Sequence, residues 1–391
     1  MKNAALLSSP TDWRAIWLVV AAGVAAAFHL GKVAIASAQL QSELGLSLGM
    51  LGGLGATFAV LGALGGLVAG SVVARAGDRR MLCLGLMATV LGATVAVATD
   101  SFAVLLLSRV VEGLGFLLIT VAGPTLISRM ARNEDRHTAL VLWSCFMPTG
   151  MALAMLTGPW FSDWRHLWTA TTMMSALIAV MAIGWVPREL PRPAVPGSGG
   201  DWGQVWRSPA LAMAGTFLLY SLMFFALFAF LPVLLQQRMQ VSSTVVGLLA
   251  AAASAVNVVG NLAAALMLKR VGRDTLCLGA AMVMGLCALG IFLPVAGPST
   301  AMALCLVFSA VGGLIPASLL SAVPEVTSTP AQGALAVGLL MQGSNLGLAL
   351  GPLLIGSAVD WRGWPAAAAC VVASALAMAA TVARPRPVFN S

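Results

Sequence analysis

Residues 102–128 read FAVLLLSRVVEGLGFLLITVAGPTLIS, a run of 27 positions in which only Arg109 and Glu112 are charged. A bilayer core of about 30 Å is crossed by about 20 helical residues, so the run is long enough to span one. A charged side chain at the centre of such a helix costs roughly 2.5–3.5 kcal/mol on insertion scales. A helix carrying two of them must turn them toward a partner, a cavity or a solute. His29 and Lys32 interrupt the first apolar run of the chain in the same way.

Eleven further runs flank this one. The set of twelve lies at about 14–38, 46–74, 81–99, 102–128, 138–160, 166–186, 209–235, 243–268, 275–296, 299–323, 333–359 and 364–383. Hydrophobic residues make up 60% of the 391 and charged ones 9%, against about 25% charged in soluble domains. Mean hydropathy is +0.96. Helices are the required element, because open strand edges would leave backbone groups unpaired in lipid. Alternating strands of a membrane barrel, about ten residues each, are absent from the pattern. The expectation is an all-α membrane protein with twelve transmembrane helices.

The net charge of +8 is unevenly placed. With a cytoplasmic N-terminus, sixteen Lys and Arg residues fall on the cytoplasmic side, and only Arg165, Arg238 and Arg362 on the other. This positive-inside bias predicts a multi-pass protein of a bacterial inner membrane with both termini cytoplasmic. It assigns the basic balance to topology and anionic lipid headgroups rather than to nucleic acid. The six cysteines form no CxxC pair or Cys/His ligand cluster, so they read as small apolar packers, and neither metal nor cofactor is expected. Ala36-Ser37-Ala38 has the form of a signal-peptidase site. The run before it is too long for a signal peptide and holds His29 and Lys32, so it reads as a retained helix.

One long polar stretch, PRELPRPAVPGSGGDWGQVWRS at 187–208, divides the chain into six-helix halves at 1–186 and 209–391. The halves repeat. Asp163-Trp164-Arg165 recurs as Asp360-Trp361-Arg362, and Gly158-Pro159 as Gly351-Pro352. Arg75-Ala76-Gly77-Asp78-Arg79 is answered by Arg270-Val271-Gly272-Arg273-Asp274. The offsets of 197, 193 and 195 residues agree on one period. Parallel halves of this kind are a transporter architecture with the solute site at their interface.

The twelve spans, the central linker and the repeat resemble the major facilitator superfamily over essentially the whole chain. Its fourth-span signature appears as Arg109-Val110-Val111-Glu112-Gly113-Leu114-Gly115. Its loop signature after the second span is kept at Gly70, Arg75, Gly77, Arg79 and Arg80, whereas Ala74 stands at the usual acidic position and Lys269 at its counterpart. The run from Arg109 to Gly123-Pro124, with Trp143, Pro148 and Gly150, looks most like the cyanate/nitroimidazole permease-like branch. The resemblance implies gating loops at Arg75, Gly77, Arg79 and Arg80 and at Arg270, Gly272 and Arg273. It also implies that the first and fourth spans line a central cavity.

Helical rise of 1.5 Å per residue sets Lys32 about 10 Å and Arg109 about 10–12 Å below the outer end, with His29 and Glu112 near 14–17 Å. Two matching levels are therefore expected, Lys32 with Arg109 and His29 with Glu112. Arg109 and Glu112 also fit a simple i, i+3 ion pair. Lys32 then remains as one positive charge in excess, to be offset by a bound anion, by loss of its proton or by snorkelling. On this reading Lys32 and Arg109 bind solute, and Glu112 and His29 carry protons. In the second half Tyr220, Phe224 and Phe228 recur every four residues as one stripe for the apolar part of a solute, or as plain core. Gln342 and Asn345, like Asn257 and Asn261, are amides at helical spacing that glue helices or touch solute. Pro148, Pro232 and Pro316 interrupt long helices.

No GxxxxGK[ST] loop or catalytic constellation is present, so enzyme chemistry is not expected. The sequence predicts a monomeric, secondary-active transporter of a small organic anion coupled to protons. Membrane lipids surround it, and nucleic acid plays no part. A proton-coupled exporter of drug-like amphipaths is the alternative, using Glu112, the twenty methionines and the aromatic stripe. A receptor or scaffold that binds without translocating is a third possibility.

Overall fold

The computed structural model describes residues 11–46, 48–187, 209–231, 234–235 and 243–382. The expected linker lies outside these apart from Pro187, as do Pro232, Arg238 and the basic residues of both chain ends. Twelve helical segments are long and apolar enough to cross a membrane, and no strand occurs among the described residues.

The first half contains α1 (Trp13–Leu44), α2 (Leu48–Ala76), α3 (Asp78–Val97), α4 (Phe102–Met130), α5 (Asn133–Ser144), α6 (Phe146–Thr157) and α7 (Trp164–Trp185). The second contains α8 (Pro209–Phe228), α9 (Ser243–Met267), α10 (Arg273–Phe292), α11 (Pro298–Gly312), α12 (Leu314–Ser321), α13 (Pro330–Arg362) and α14 (Trp364–Val382). The spans match the apolar runs to within a few residues at most ends. The clearest difference is α1, which continues past residue 38 to Leu44 and stops at Gly45 with φ 63°. Gln39, Gln41, Ser42 and Glu43 end the apolar run but not the helix, since polar side chains leave the bilayer without breaking backbone hydrogen bonds. Ala36-Ser37-Ala38 lies inside this continuous helix.

Spans five and ten are each broken in two, at Cys145 and at Gly313. Pro148 and Pro316 stand three residues beyond the breaks and offer no N–H to the carbonyls of Ser144 and Gly312. Those are the last residues of α5 and α11. Pro124 and Pro352, by contrast, sit within unbroken α4 and α13.

The halves meet where α2 runs along α13 and where α5 and α6 pack against α9. At the first seam the backbones nearly touch. A Cβ on Gly66 would lie 2.5 Å from the Gly338 carbonyl oxygen, and one on Gly338 would lie 2.5 Å from that of Gly66. Small residues permit this approach, which in a membrane supplies packing that hydrophobicity cannot. The Gly347 and Gly351 ladder of α13 instead packs on α8 within the second half.

One end of the bundle, the basic face, carries Arg75, Arg79 and Arg80 between α2 and α3, Arg129, Arg132 and Arg136 about the start of α5, and Lys269, Arg270 and Arg273 before α10.

Candidate functional site

Four ionisable groups converge at the crossing of α1 and α4. Arg109 Nη1 donates to Glu112 Oε2 at 2.5 Å, helped by their i, i+3 spacing. Lys32 Nζ lies 3.0 Å from both carboxylate oxygens. His29 Nδ1 lies 3.1 Å from Glu112 Oε2 and 2.9 Å from Lys32 Nζ. On its other side His29 Nε2 is 2.9 Å from Ser175 Oγ of α7. Arg109 also donates to the His29 carbonyl at 3.1 Å. All four are at most 2% exposed.

This corrects the arrangement expected from depth. The groups do not pair at two levels; they gather on one carboxylate. Levels set by helical rise locate Cα atoms, and positions three apart differ by about 4.5 Å. The long Lys32 and Arg109 side chains span that difference and reach the same acid. Nor does the cluster line either of two cavities between the halves.

Aromatic rings close it in. Lys32 Nζ is 4.6 Å from the centroid of the Trp168 ring, and the Arg109 guanidinium lies 4.4 Å over Phe58. Such contacts partly replace lost hydration. Phe58 in turn packs on Phe116 with centroids 4.9 Å apart, and Phe116 lines the central cavity. Two rings therefore stand between the charges and the cavity. Arg109 Nη2 has no hydrogen-bond partner among the described residues.

The central cavity has a volume of about 40 Å³ and lies between the halves. Tyr220, Phe224 and Asn345 line it, whereas Phe228 and Gln342 are not among its walls. Phe228 stacks on Phe224 at 4.1 Å between centroids, extending the stripe away from the cavity. Gln342 Oε1 accepts from the Leu67 backbone N–H at 3.3 Å, which places it in the seam between α2 and α13. Asn257 Nδ2 donates to Tyr220 Oη at 3.4 Å and to the Ser309 carbonyl at 2.8 Å, joining three helices. Asn345 Nδ2 donates to the Met341 carbonyl, and its Oδ1 has no hydrogen-bond partner among the described residues. Phe116, Ser144, Ser221 and Ser344 also line the cavity and were not singled out from the sequence. Single Ser and Phe residues in apolar helices carry no signal that separates wall from packing.

A larger cavity of about 740 Å³ lies at the basic face between the halves. Arg75, Arg129 and Arg136 line it, with Thr327, Ser328 and Thr329 opposite. Leu320 of α12 lines both cavities. Asp78, in the first turn of α3, pairs with Arg129 at 2.5 Å, so an acid is present one turn beyond Ala74.

The loop residues divide. Gly77 has φ 96°, a conformation that L side chains rarely adopt, and turns α2 into α3. Its counterpart Gly272 has φ −61° and could be another residue on backbone grounds. Arg79 donates to the carbonyls of Val186 at 2.9 Å and Ile183 at 2.7 Å, capping the C-terminus of α7. Arg80 and Arg270 are exposed, and Arg273 pairs with its neighbour Asp274 at 3.3 Å. At the opposite face Arg165 bonds both Glu43 and Asp100, while Trp164 Nε1 donates to Glu43 at 2.9 Å.

The family model of the Major Facilitator Superfamily matches residues 18–335 and 244–391. The chain belongs to this superfamily. It is a transporter, not an enzyme. The match is to the superfamily as a whole and does not assign the cyanate/nitroimidazole permease-like branch. Among curated relatives, the chain is 28% identical over 176 residues to D-xylose-proton symporter-like 2 of Arabidopsis thaliana, covering 42% of this chain and 35% of that one. It is 31% identical over 134 residues to solute carrier family 22 member 7 of Pongo abelii, covering 34% of this chain and 24% of that one. These matches thus span about a quarter to a third of the relatives' lengths. Of solved structures, the human organic anion transporter MFSD10 (TETRAN) superposes with a TM-score of 0.79 at 17% identity, over 96% of this chain and 100% of that one, and shows the shared fold.

Proposed function

We propose that this member of the superfamily is a secondary-active, alternating-access transporter of a small organic anion, coupled to protons. The observation that carries the reading is the buried excess of one positive charge, with Lys32 and Arg109 sharing the single carboxylate of Glu112. It stands two rings away from the central cavity. Positive potential beside a cavity favours an anionic solute and disfavours a cationic one. Lys32 and Arg109 act on the solute through this field rather than by contact in the state described here. Tyr220, Phe224 and Phe116 pack its carbon skeleton, and Asn345 Oδ1 accepts a hydrogen bond from it.

A cavity of about 40 Å³ holds little more than one water, whose share of liquid is about 30 Å³. Loading therefore requires the halves to part, and Leu320 is the wall that moves between the central cavity and the basic face. We place the basic face in the cytoplasm of a bacterial inner membrane and take the monomer as the working unit. One relative is a D-xylose-proton symporter-like protein and one structural neighbour an organic anion transporter, and both are consistent with the reading.

Proteoliposomes carrying an internal pH dye test it. Uptake of organic anions with proton entry is the expected result. Movement of lipophilic cations against protons, with no anion uptake, replaces this reading with that of an amphipath exporter.

A further inference from the structure

Glu112 is the one acid deep within a span, which makes it the first candidate to carry a proton. Its surroundings hold it as a counter-ion instead. Oε2 receives Arg109 at 2.5 Å, and Oε1 receives Lys32 at 3.0 Å. A proton added to Glu112 would leave two cations facing each other at a site at most 2% exposed, with a net charge of +2. A proton removed from Lys32 brings the cluster to zero. Arg109 keeps its proton, since a guanidinium is not deprotonated in proteins.

His29 supplies the second half of the argument. Its Nδ1 lies 2.9 Å from Lys32 Nζ and 3.1 Å from Glu112 Oε2. That nitrogen can accept from the lysine or donate to the carboxylate, but not both at once. Its Nε2 faces Ser175 Oγ, a group that both donates and accepts. The imidazole is thus built into two alternative hydrogen-bond patterns that differ by one proton.

Resting on the proton-coupled transport proposed above, we propose that Lys32 and His29 hold the transported proton between them, with Glu112 and Arg109 a fixed ion pair. In the loaded state Lys32 is an ammonium that donates to Glu112 Oε1 and to His29 Nδ1, and His29 Nε2–H donates to Ser175 Oγ. On release the Lys32 proton passes to Nδ1 and the Nε2 proton passes to Ser175 Oγ, whose own hydroxyl proton goes on to water. Nδ1–H then turns to Glu112 Oε2. One proton has left, Lys32 is a neutral amine, and the cluster has gone from +1 to zero.

The packed elements present no further charge to Lys32 among the described residues. Besides Glu112 and Arg109 from α4, it meets Trp168 of α7, and its neighbour His29 meets Ser175 of the same helix. Around the same cluster α2 offers Phe58 and the Leu54 carbonyl, and α3 packs Gly92 against Glu112. From α6, Ala154 and Met151 pack against the adjoining Gly31. Arg165, farther along α7, is occupied by Glu43 and Asp100.

The chain has three lysines, Lys2, Lys32 and Lys269. Protein carrying isotope-labelled lysine in lipid nanodiscs therefore gives three side-chain NMR signals, and Lys32→Arg or Lys32→Gln identifies one of them. The Lys32 signal is expected to report ammonium at the acid end and amine at the alkaline end of the pH range in which the protein stays folded. In proteoliposomes, Lys32→Arg and Lys32→Gln should each lower accumulation of radiolabelled p-aminohippurate under a pH gradient by about tenfold or more, and counterflow by less. A Lys32 signal that reports ammonium throughout that range overturns the proposal. So does full accumulation by Lys32→Arg, because arginine keeps the charge and cannot release the proton. If wild-type protein moves no p-aminohippurate yet the Lys32 signal changes from ammonium to amine within that range, the organic-anion reading falls and the proton assignment stands.

Discussion

Removing Glu112 and removing Lys32 have opposite electrostatic consequences. Glu112→Gln strands two buried cations and is expected to destabilise the folded protein by about 3–5 kcal/mol, as loss of one partner from a buried pair does. Lys32→Met takes away the uncompensated charge and should cost much less. Thermal unfolding of the two purified variants in detergent measures the difference, and equal losses would mean that the charge excess is already neutralised. The four residues of this cluster were legible in the sequence as charges in apolar runs. Their geometry was not, because helical rise counts backbone height and says nothing about the reach of a lysine or an arginine. The Phe58–Phe116 pair was not legible at all, since a phenylalanine in an apolar helix looks the same whether it packs or shields.

At the scale of helices, the sequence announced twelve spans because each is a long run with few charges. Pro148 and Pro316 marked where spans five and ten break, because each removes the N–H owed to the last carbonyl of the helix before it. The seam between α2 and α13 was missed. Glycine is frequent along the second span, so Gly66 did not stand out, and only the fold shows Gly338 opposite it. Gly66→Leu should separate the two helices and destabilise the protein by about 1–3 kcal/mol, the usual cost of overpacking. Gly272→Ala, at an ordinary φ with open space around its Cβ, should leave the stability measured by thermal unfolding unchanged within about 0.5 kcal/mol. Gly77→Ala, at φ 96°, should lower it by about 1 kcal/mol or more. Together these variants test whether the two loops, alike in sequence, differ in backbone demand.

For the whole molecule the repeat predicts symmetry and the structure shows how it is broken. Trp164 is buried against the Glu43–Arg165 network, whereas its counterpart Trp361 is 75% exposed with Arg362 stacked on it at 4.0 Å. Among the described residues, the buried charges lie in the first half, and the second contributes aromatic and amide walls of the central cavity. Leu320 lines both cavities, and on the proposed reading it is the point at which passage between them is most easily blocked. Leu320→Trp enlarges a side chain that is only 1% exposed and should cost about 1–3 kcal/mol of stability, while reducing anion counterflow per folded molecule about tenfold or more. Unimpaired counterflow would place the path elsewhere. The ring pair between cluster and cavity has one more consequence. Phe58 and Phe116 form the dielectric of a small capacitor, with the cluster as one plate and the solute as the other. At a separation of roughly 10 Å and an effective dielectric of about 20, one unit charge changes the energy of an anion by about 1.7 kcal/mol, more than tenfold in occupancy. On the proposed reading, proton and solute therefore govern each other across the rings without sharing a single atom.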